Sequence, residues 1–142
     1  MPQLSAIANM VISNSPLLRI AANAGATVAV GFGINAILRP DNALTFFGWE
    51  APTSDGPAKD LVRHLLFIYG VRDIFMGIAT YIAAYFGDRK TLGWMLIATS
   101  AVAFADGLSC WYHGEGAWMH WSYMPMLIGH GSLLLGILDR AN

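Results

Sequence analysis

Hydrophobic residues dominate four stretches of the chain, and clusters of polar residues mark where each stretch stops. A helix needs about 20 mostly apolar residues to cross a bilayer core. Leu17–Leu38, Leu61–Phe86 and Thr91–Tyr112 meet that length, and Tyr123–Leu138 approaches it with apolar flanks. The segments between them read as links. Arg39–Asp60 is rich in turn formers and begins and ends with charge. Gly87–Lys90, "GDRK", is a tight polar turn, which makes the second and third helices antiparallel neighbours. His113–Trp121, "HGEGAWMHW", is broken by glycine. The pattern predicts an all-α fold: a four-transmembrane-helix antiparallel bundle with a polar interior cavity, one domain over residues 1–142. Both termini then lie on the side of the GDRK turn.

Polar residues inside the spans fall at helical spacing. On the first helix Asn23, Thr27 and Asn35 are separated by multiples of four. On the second, Tyr69 and Asp73 are four apart, with His64 and Arg72 near the same side. On the third, Asp106, Ser109, Cys110 and His113 follow the i, i+3, i+4, i+7 pattern, and on the fourth Tyr123, Met126 and His130 follow it too. Polar side chains in lipid face the bundle or a wet cavity, so four such faces predict a shared polar interior. Depth refines this. Arg72, Asp73 and His130 sit near the midpoints of their spans, while Asp106 lies roughly 6 Å past the centre of its own, level with Tyr69. The expectation is a funnel open toward the long loop, with Asp73, Arg72 and His130 at its floor and His64, His113 and Asn35 farther out. Small residues Ala21, Gly25, Ala29 and Gly33, at spacing four, predict the face on which the first helix packs closely, within one chain or in a homodimer.

Composition agrees with a membrane protein. The chain of 142 residues is 56% hydrophobic and 12% charged, with mean hydropathy +0.50, against about 25% charged in soluble domains. A soluble helical bundle would need a polar outer face that these helices lack. A net charge of −1 gives no reason to expect nucleic acid as a partner, and a single cysteine, Cys110, allows no intrachain disulfide. The opening "MPQLSAIANMVISNSP" lacks the positive start of a secretory signal. Arg19, Arg89, Lys90 and Arg140 oppose Arg39, Lys59 and Arg63, which gives no orientational bias. Trp111, Trp118, Trp121 and Tyr123 gather at one boundary, as an aromatic belt would.

Two aspartates and an arginine in a dry site can do acid–base chemistry, one carboxylate acting as base and the other as acid. Opening an epoxide needs that pair: a proton on the ring oxygen and a nucleophile, water or an internal hydroxyl, on the carbon. Tyr69 and His130 would orient the epoxide or water; Asn23, Thr27, Asn35, His64, Cys110, His113, Tyr123 and Met126 would line the substrate. The same pair could isomerise or cyclise a terpene- or sterol-like lipid. The alternative to chemistry is a structural Arg72–Asp106 ion pair in a non-catalytic membrane protein, with His130 bonded to a backbone carbonyl. Arg72 and Asp73, adjacent and about 100° apart on the helix, are not expected to pair with each other. No HExxH-type motif, phosphate loop or dinucleotide fingerprint occurs, and the expectation is no metal and no cofactor.

The "YGVRDIFMG" stretch, the short spans and "FADG" on the third helix resemble a family of small integral membrane proteins, common in fungi and classed as a domain of unknown function. Its motif, Gly-x-Arg-Asp/Asn with a following glycine, is matched by Gly70, Arg72, Asp73 and Gly77, and the resemblance runs from about Ala21 to Leu138. Similar chains are assigned as epoxide hydrolases in fungal polyketide pathways of the aurovertin and citreoviridin type, acting after a flavin monooxygenase. The resemblance implies a polyene-epoxide substrate taken from the lipid bilayer, a flavin monooxygenase as pathway partner, and a membrane such as the endoplasmic reticulum. Limonene-epoxide-type hydrolases activate water with an Asp–Arg–Asp set on an unrelated fold, a likeness of chemistry alone.

Overall fold

The computed structural model describes residues 11–139. The opening of the chain weighed as a signal lies in part, and Arg140 wholly, outside those residues. A short 3-10 turn, Ile12–Asn14, leads into six helices: α1 Pro16–Leu38, α2 Pro40–Thr45, α3 Pro57–Phe86, α4 Arg89–His113, α5 Ala117–Trp121 and α6 Met124–Leu135. The described residues contain no strand, so the all-α expectation holds. Three helices, α1, α3 and α4, are long and apolar enough to cross a membrane. The fourth predicted span is shorter than expected. Gly136, at φ 89°, ends α6, leaving 12 helical residues, about 18 Å, and Gly136–Leu138 form a turn.

Local chemistry explains the breaks. Arg39 precedes Pro40, whose ring disfavours the α conformation for the residue before it, and Arg39 leaves the helix at φ −138°, ψ 62°. Asp88 caps α4: its Oδ1 accepts the Thr91 amide at 2.7 Å and the Thr91 hydroxyl at 2.9 Å. Those bonds hold the Asp88 carboxyl below the ordinary carboxylate range. The two ends of the described segment meet beside this turn. Asp139 accepts from the Ser13 amide and hydroxyl at 3.1 and 2.6 Å, and Arg89 donates to the Leu134 carbonyl at 3.0 Å.

The helices assemble as two antiparallel pairs, α1 with α3 and α4 with α6. Each pair closes on facing glycines. A Cβ on Gly33 would come 2.5 Å from the Gly70 carbonyl oxygen, and one on Gly70 would come 2.5 Å from that of Gly33. Gly93 and Gly131 stand in the same relation, at 2.8 and 2.7 Å. Backbones touch there because no side chain intervenes. Gly77 seats itself against Ala26 and Val30 in the same way. The packing face of α1 within the chain is therefore Ala22, Ala26, Gly33 and Ala36; of the predicted Ala21–Gly25–Ala29–Gly33 stripe, Gly33 belongs to it while Ala21 and Gly25 are exposed. Steps of four advance about 400°, so a spacing-four stripe winds off one face within three steps.

Apolar packing divides into two layers. Near the GDRK turn, Ala22, Ala83, Ala84, Leu92, Leu96 and Leu134 bring α1, α3, α4 and α6 together. Near the long loop, Ala36, Ala43, Leu44 and Leu66 join α1, α2 and α3.

Filling a crossing should cost more than filling a vacancy of equal size. Gly33→Val is expected to destabilise the protein by about 1–3 kcal/mol through overpacking. Gly25→Ala, which meets nothing within 4 Å, should leave thermal unfolding in detergent unchanged or slightly raised. A smaller effect for Gly33→Val than for Gly25→Ala would refute the crossing.

Candidate functional site

Between the two apolar layers lies a charge network. Arg72 on α3 extends to Asp106 on α4, donating from Nη1 to Oδ1 and from Nη2 to Oδ2, both at 2.8 Å. The same guanidinium donates to its neighbour: Nε and Nη2 reach Asp73 Oδ1 at 3.2 and 3.0 Å. This pairing corrects the expectation that adjacent residues diverge too far to bond. The arginine stem is long enough to curl back across 100° of helix, which a short side chain could not do. Both Asp106 oxygens are occupied by the arginine fork, whereas Asp73 gives Arg72 only one of its two. The Arg72 side chain is 34% exposed, against 8% and 13% for the two aspartates.

Aromatic rings close the network on its loop side. Arg72 Cζ sits 4.2 Å from the centroid of the Tyr69 ring, a cation–π contact. Phe47 packs edge-on to Tyr69 at 5.1 Å and against His120 at 4.8 Å and Trp49 at 5.2 Å. His120 Nδ1 lies 3.7 Å from Cys110 Sγ, one turn beyond Asp106 on α4, and Tyr123 stands 6.5 Å from His120 between ring centroids. The cap forms because the long loop lies on the α4–α5 link. Gly116, at φ 81°, meets the Phe47 carbonyl, and a Cβ there would collide with it. Only glycine satisfies both conditions.

Phe47, Trp49 and His120 were not among the residues predicted for the site. Helical spacing carries no information across the turns at Gly114 and Gly116, so the face presented by α5 was invisible to periodicity. The available signal was chemical: a histidine and large aromatics in the two links.

The remaining predicted residues disperse. His130 is not on the floor with Arg72; its Nε2 donates to the Leu18 carbonyl at 2.8 Å and ties α6 to α1. Thr27 shares a 2.5 Å hydrogen bond with the Tyr81 hydroxyl and donates to the Asn23 carbonyl, on the α1–α3 seam rather than in the site. Asn23 Oδ1 and Asn35 Nδ2 are buried without a partner among the described residues. His64 bonds the Asp60 carbonyl. His113 packs its ring on Trp49 at 5.0 Å and borders a loop-end cleft with Glu50 and Glu115. Met126 is exposed. Trp121 also departs from expectation. Rather than joining the belt, it stacks on Phe104, donates to that residue's carbonyl at 3.2 Å and covers Gly107. Trp111 and Trp118 remain exposed.

The chain belongs to the family described as "Domain of unknown function (DUF4267)", whose model matches residues 26–134. No curated protein and no solved structure matches it. The match takes in Arg72, Asp73 and Asp106, both glycine crossings and the aromatic cap.

Two measurements probe the site without any substrate. Removing one partner of a buried ion pair costs about 3–5 kcal/mol; with Arg72 34% exposed, the discounted expectation is about 1–3 kcal/mol. A double-mutant cycle of Arg72→Gln and Asp106→Asn, read by unfolding in detergent, should therefore show strong coupling. Zero coupling would mean the fork adds nothing to the fold. Burial lowers the His120 imidazole from its ordinary value near 6.5, so the unfolded chain takes up the proton first as pH falls. Its contribution is full above pH 6.5 and declines below it. Stability should fall through this window in the wild type and fall less in His120→Gln.

Proposed function

We propose that the chain is a membrane-embedded epoxide hydrolase or epoxide-opening cyclase, acting on a polyene epoxide in fungal polyketide biosynthesis. One observation carries the reading: a single arginine, at mid-depth in its span, bonded at once to both oxygens of one carboxylate and one oxygen of another. An Asp–Arg–Asp set suits epoxide opening because the reaction needs a base and an acid on opposite sides of one strained ring. In this reading Asp73 and Asp106 are the acid–base pair, and Asp106, clamped by the fork, also helps hold Arg72 in place. Asp73, with an oxygen that Arg72 leaves open, exchanges the proton. Tyr69 stands beside the guanidinium as the group that orients the epoxide oxygen.

The step balances without redox change. The oxygen of water, or of a hydroxyl on the substrate, bonds to the epoxide carbon as the ring C–O bond breaks. The nucleophile gives up one proton to the carboxylate acting as base, and the ring oxygen gains one from the acid. The product is a diol or a cyclic ether, and no cofactor is required. The substrate would partition from the bilayer, in the endoplasmic reticulum for a fungal pathway of this kind. It would reach Arg72 from its exposed side, after a flavin monooxygenase had made the epoxide. α6 would complete a four-helix transmembrane bundle around the site.

A second reading has its own support. The Arg72–Asp106 fork links the two helix pairs, which is what structural glue in a non-catalytic membrane protein would do. The deciding experiment is a product assay in membranes expressing the chain. It supplies a polyene-pyrone epoxide in water labelled with heavy oxygen, with Asp73→Asn and Asp106→Asn in parallel. The expected result is enzyme-dependent diol or cyclic ether, reduced by at least about 100-fold in Asp73→Asn, as for loss of a general acid or base, in variants that keep their helical content. Label in the diol marks attack by water. Full turnover by a folded Asp73→Asn protein would overturn the assignment, and no turnover by the wild type on several such epoxides would favour the structural reading.

A further inference from the structure

The α1–α3 pair carries a cleft of its own at the loop end, apart from the charge network. It is an open groove of about 610 Å³ bordered by Leu38, Arg39, Asp41, Arg63, His64 and Phe67. Two helix ends meet here. α1 stops at Arg39, and α3 passes in its second and third turns.

The antiparallel register fixes the depth of this cleft. Gly33 faces Gly70 and Ala26 faces Gly77; continuing that register toward the loop brings Arg39 level with His64. Arg63 precedes Arg72 by nine residues, about 13.5 Å of helix. With Arg72 at mid-span, Arg63 and Arg39 therefore stand close to the edge of a hydrocarbon core about 30 Å thick. That is the level at which phospholipid phosphates lie. Directly on the membrane side, Leu38 is 72% exposed and Phe67 55%.

The charges in the cleft are unevenly matched. Arg39 makes no ion pair among the described residues, and Arg63 has only a 3.9 Å contact with exposed Asp60. Asp41 is the one carboxylate on the lining. The lining thus presents two guanidinium groups to one carboxylate, with Asp60 beyond the lining on the far side of Arg63. His64 Nδ1 donates to the Asp60 carbonyl at 2.7 Å, which fixes the ring at the rim.

We propose that this cleft binds the phosphodiester of an anionic membrane phospholipid. Arg39 and Arg63 hold the phosphate oxygens, since guanidinium forks match phosphate geometry, and the acyl chains lie along Leu38 and Phe67. The exposed apolar wall is what distinguishes a lipid from free phosphate. The site stands apart from the proposed chemistry and survives whether or not that chemistry is correct.

The test is native mass spectrometry of the whole protein in detergent, titrated with phosphatidylglycerol, phosphatidylcholine or inorganic phosphate. Wild type should take up one phosphatidylglycerol about tenfold more tightly than R39Q/R63Q, the loss expected for charge-assisted hydrogen bonds. K90Q, which alters a cation at the opposite end, should bind as wild type does. D41N, which removes the opposing carboxylate, should tighten binding by about threefold; this arm reads the site even if the double variant is poorly folded. Equal affinity of wild type and R39Q/R63Q, or no gain in D41N, overturns the proposal. Saturation by inorganic phosphate with no lipid adduct overturns the lipid assignment.

Discussion

An arginine inside a membrane span must find counter-charge or water, because an uncompensated ion in a low-dielectric interior costs several kcal/mol. Arg72 meets that demand with two carboxylates, one from its own helix and one from across the bundle. Much of the molecule is arranged around this solution. The apolar layers lie above and below it, and Tyr69 offers a ring face to the guanidinium. Phe47 and His120 stand between the network and the loop side.

The glycines explain how the network comes to be in reach. In lipid, helices gain little from burying one apolar side chain against another, so close backbone contact is a main source of association. Gly33 with Gly70 and Gly93 with Gly131 build two tight pairs, and the Arg72–Asp106 fork ties one pair to the other. The family motif is thereby divided by role: Gly70 and Gly77 seat α3 on α1, while Arg72 and Asp73 hold charge. His130, bonded to the Leu18 carbonyl, makes a second tie between the pairs near the other end.

Much of this was legible in the sequence because membrane spans are written in composition and length. Three long spans and the GDRK turn between the second and third follow from hydropathy and a rise of about 1.5 Å per residue. What escaped was anything that depends on side-chain reach or on links without a period. Arg72 bonds Asp73 because its stem bends back, which helical angles alone do not predict. Of the small-residue stripe only Gly33 is buried within the chain, because steps of four wind away from one face. Asn23, Thr27 and Asn35 fell on no common wall for the same reason, and Thr27 turned instead to Tyr81. The cap of Phe47, Trp49 and His120 depends on two glycine-bent links docking on one another, and nothing in either link announces its partner.

The adjacency of Arg72 and Asp73 bears on how the chain enters the membrane. Spans emerge from the ribosome in order, and Arg72 precedes Asp106 by 34 residues, so α3 emerges ahead of its partner on α4. During that interval the arginine already has a carboxylate beside it, and the dipeptide carries no net charge. α1 also precedes the second pair in the chain, so the contacts of Gly33 with Gly70 need nothing from α4 or α6. The cross-helix fork is thus a late lock, applied to a half-molecule that a local counter-ion has made tolerable to lipid.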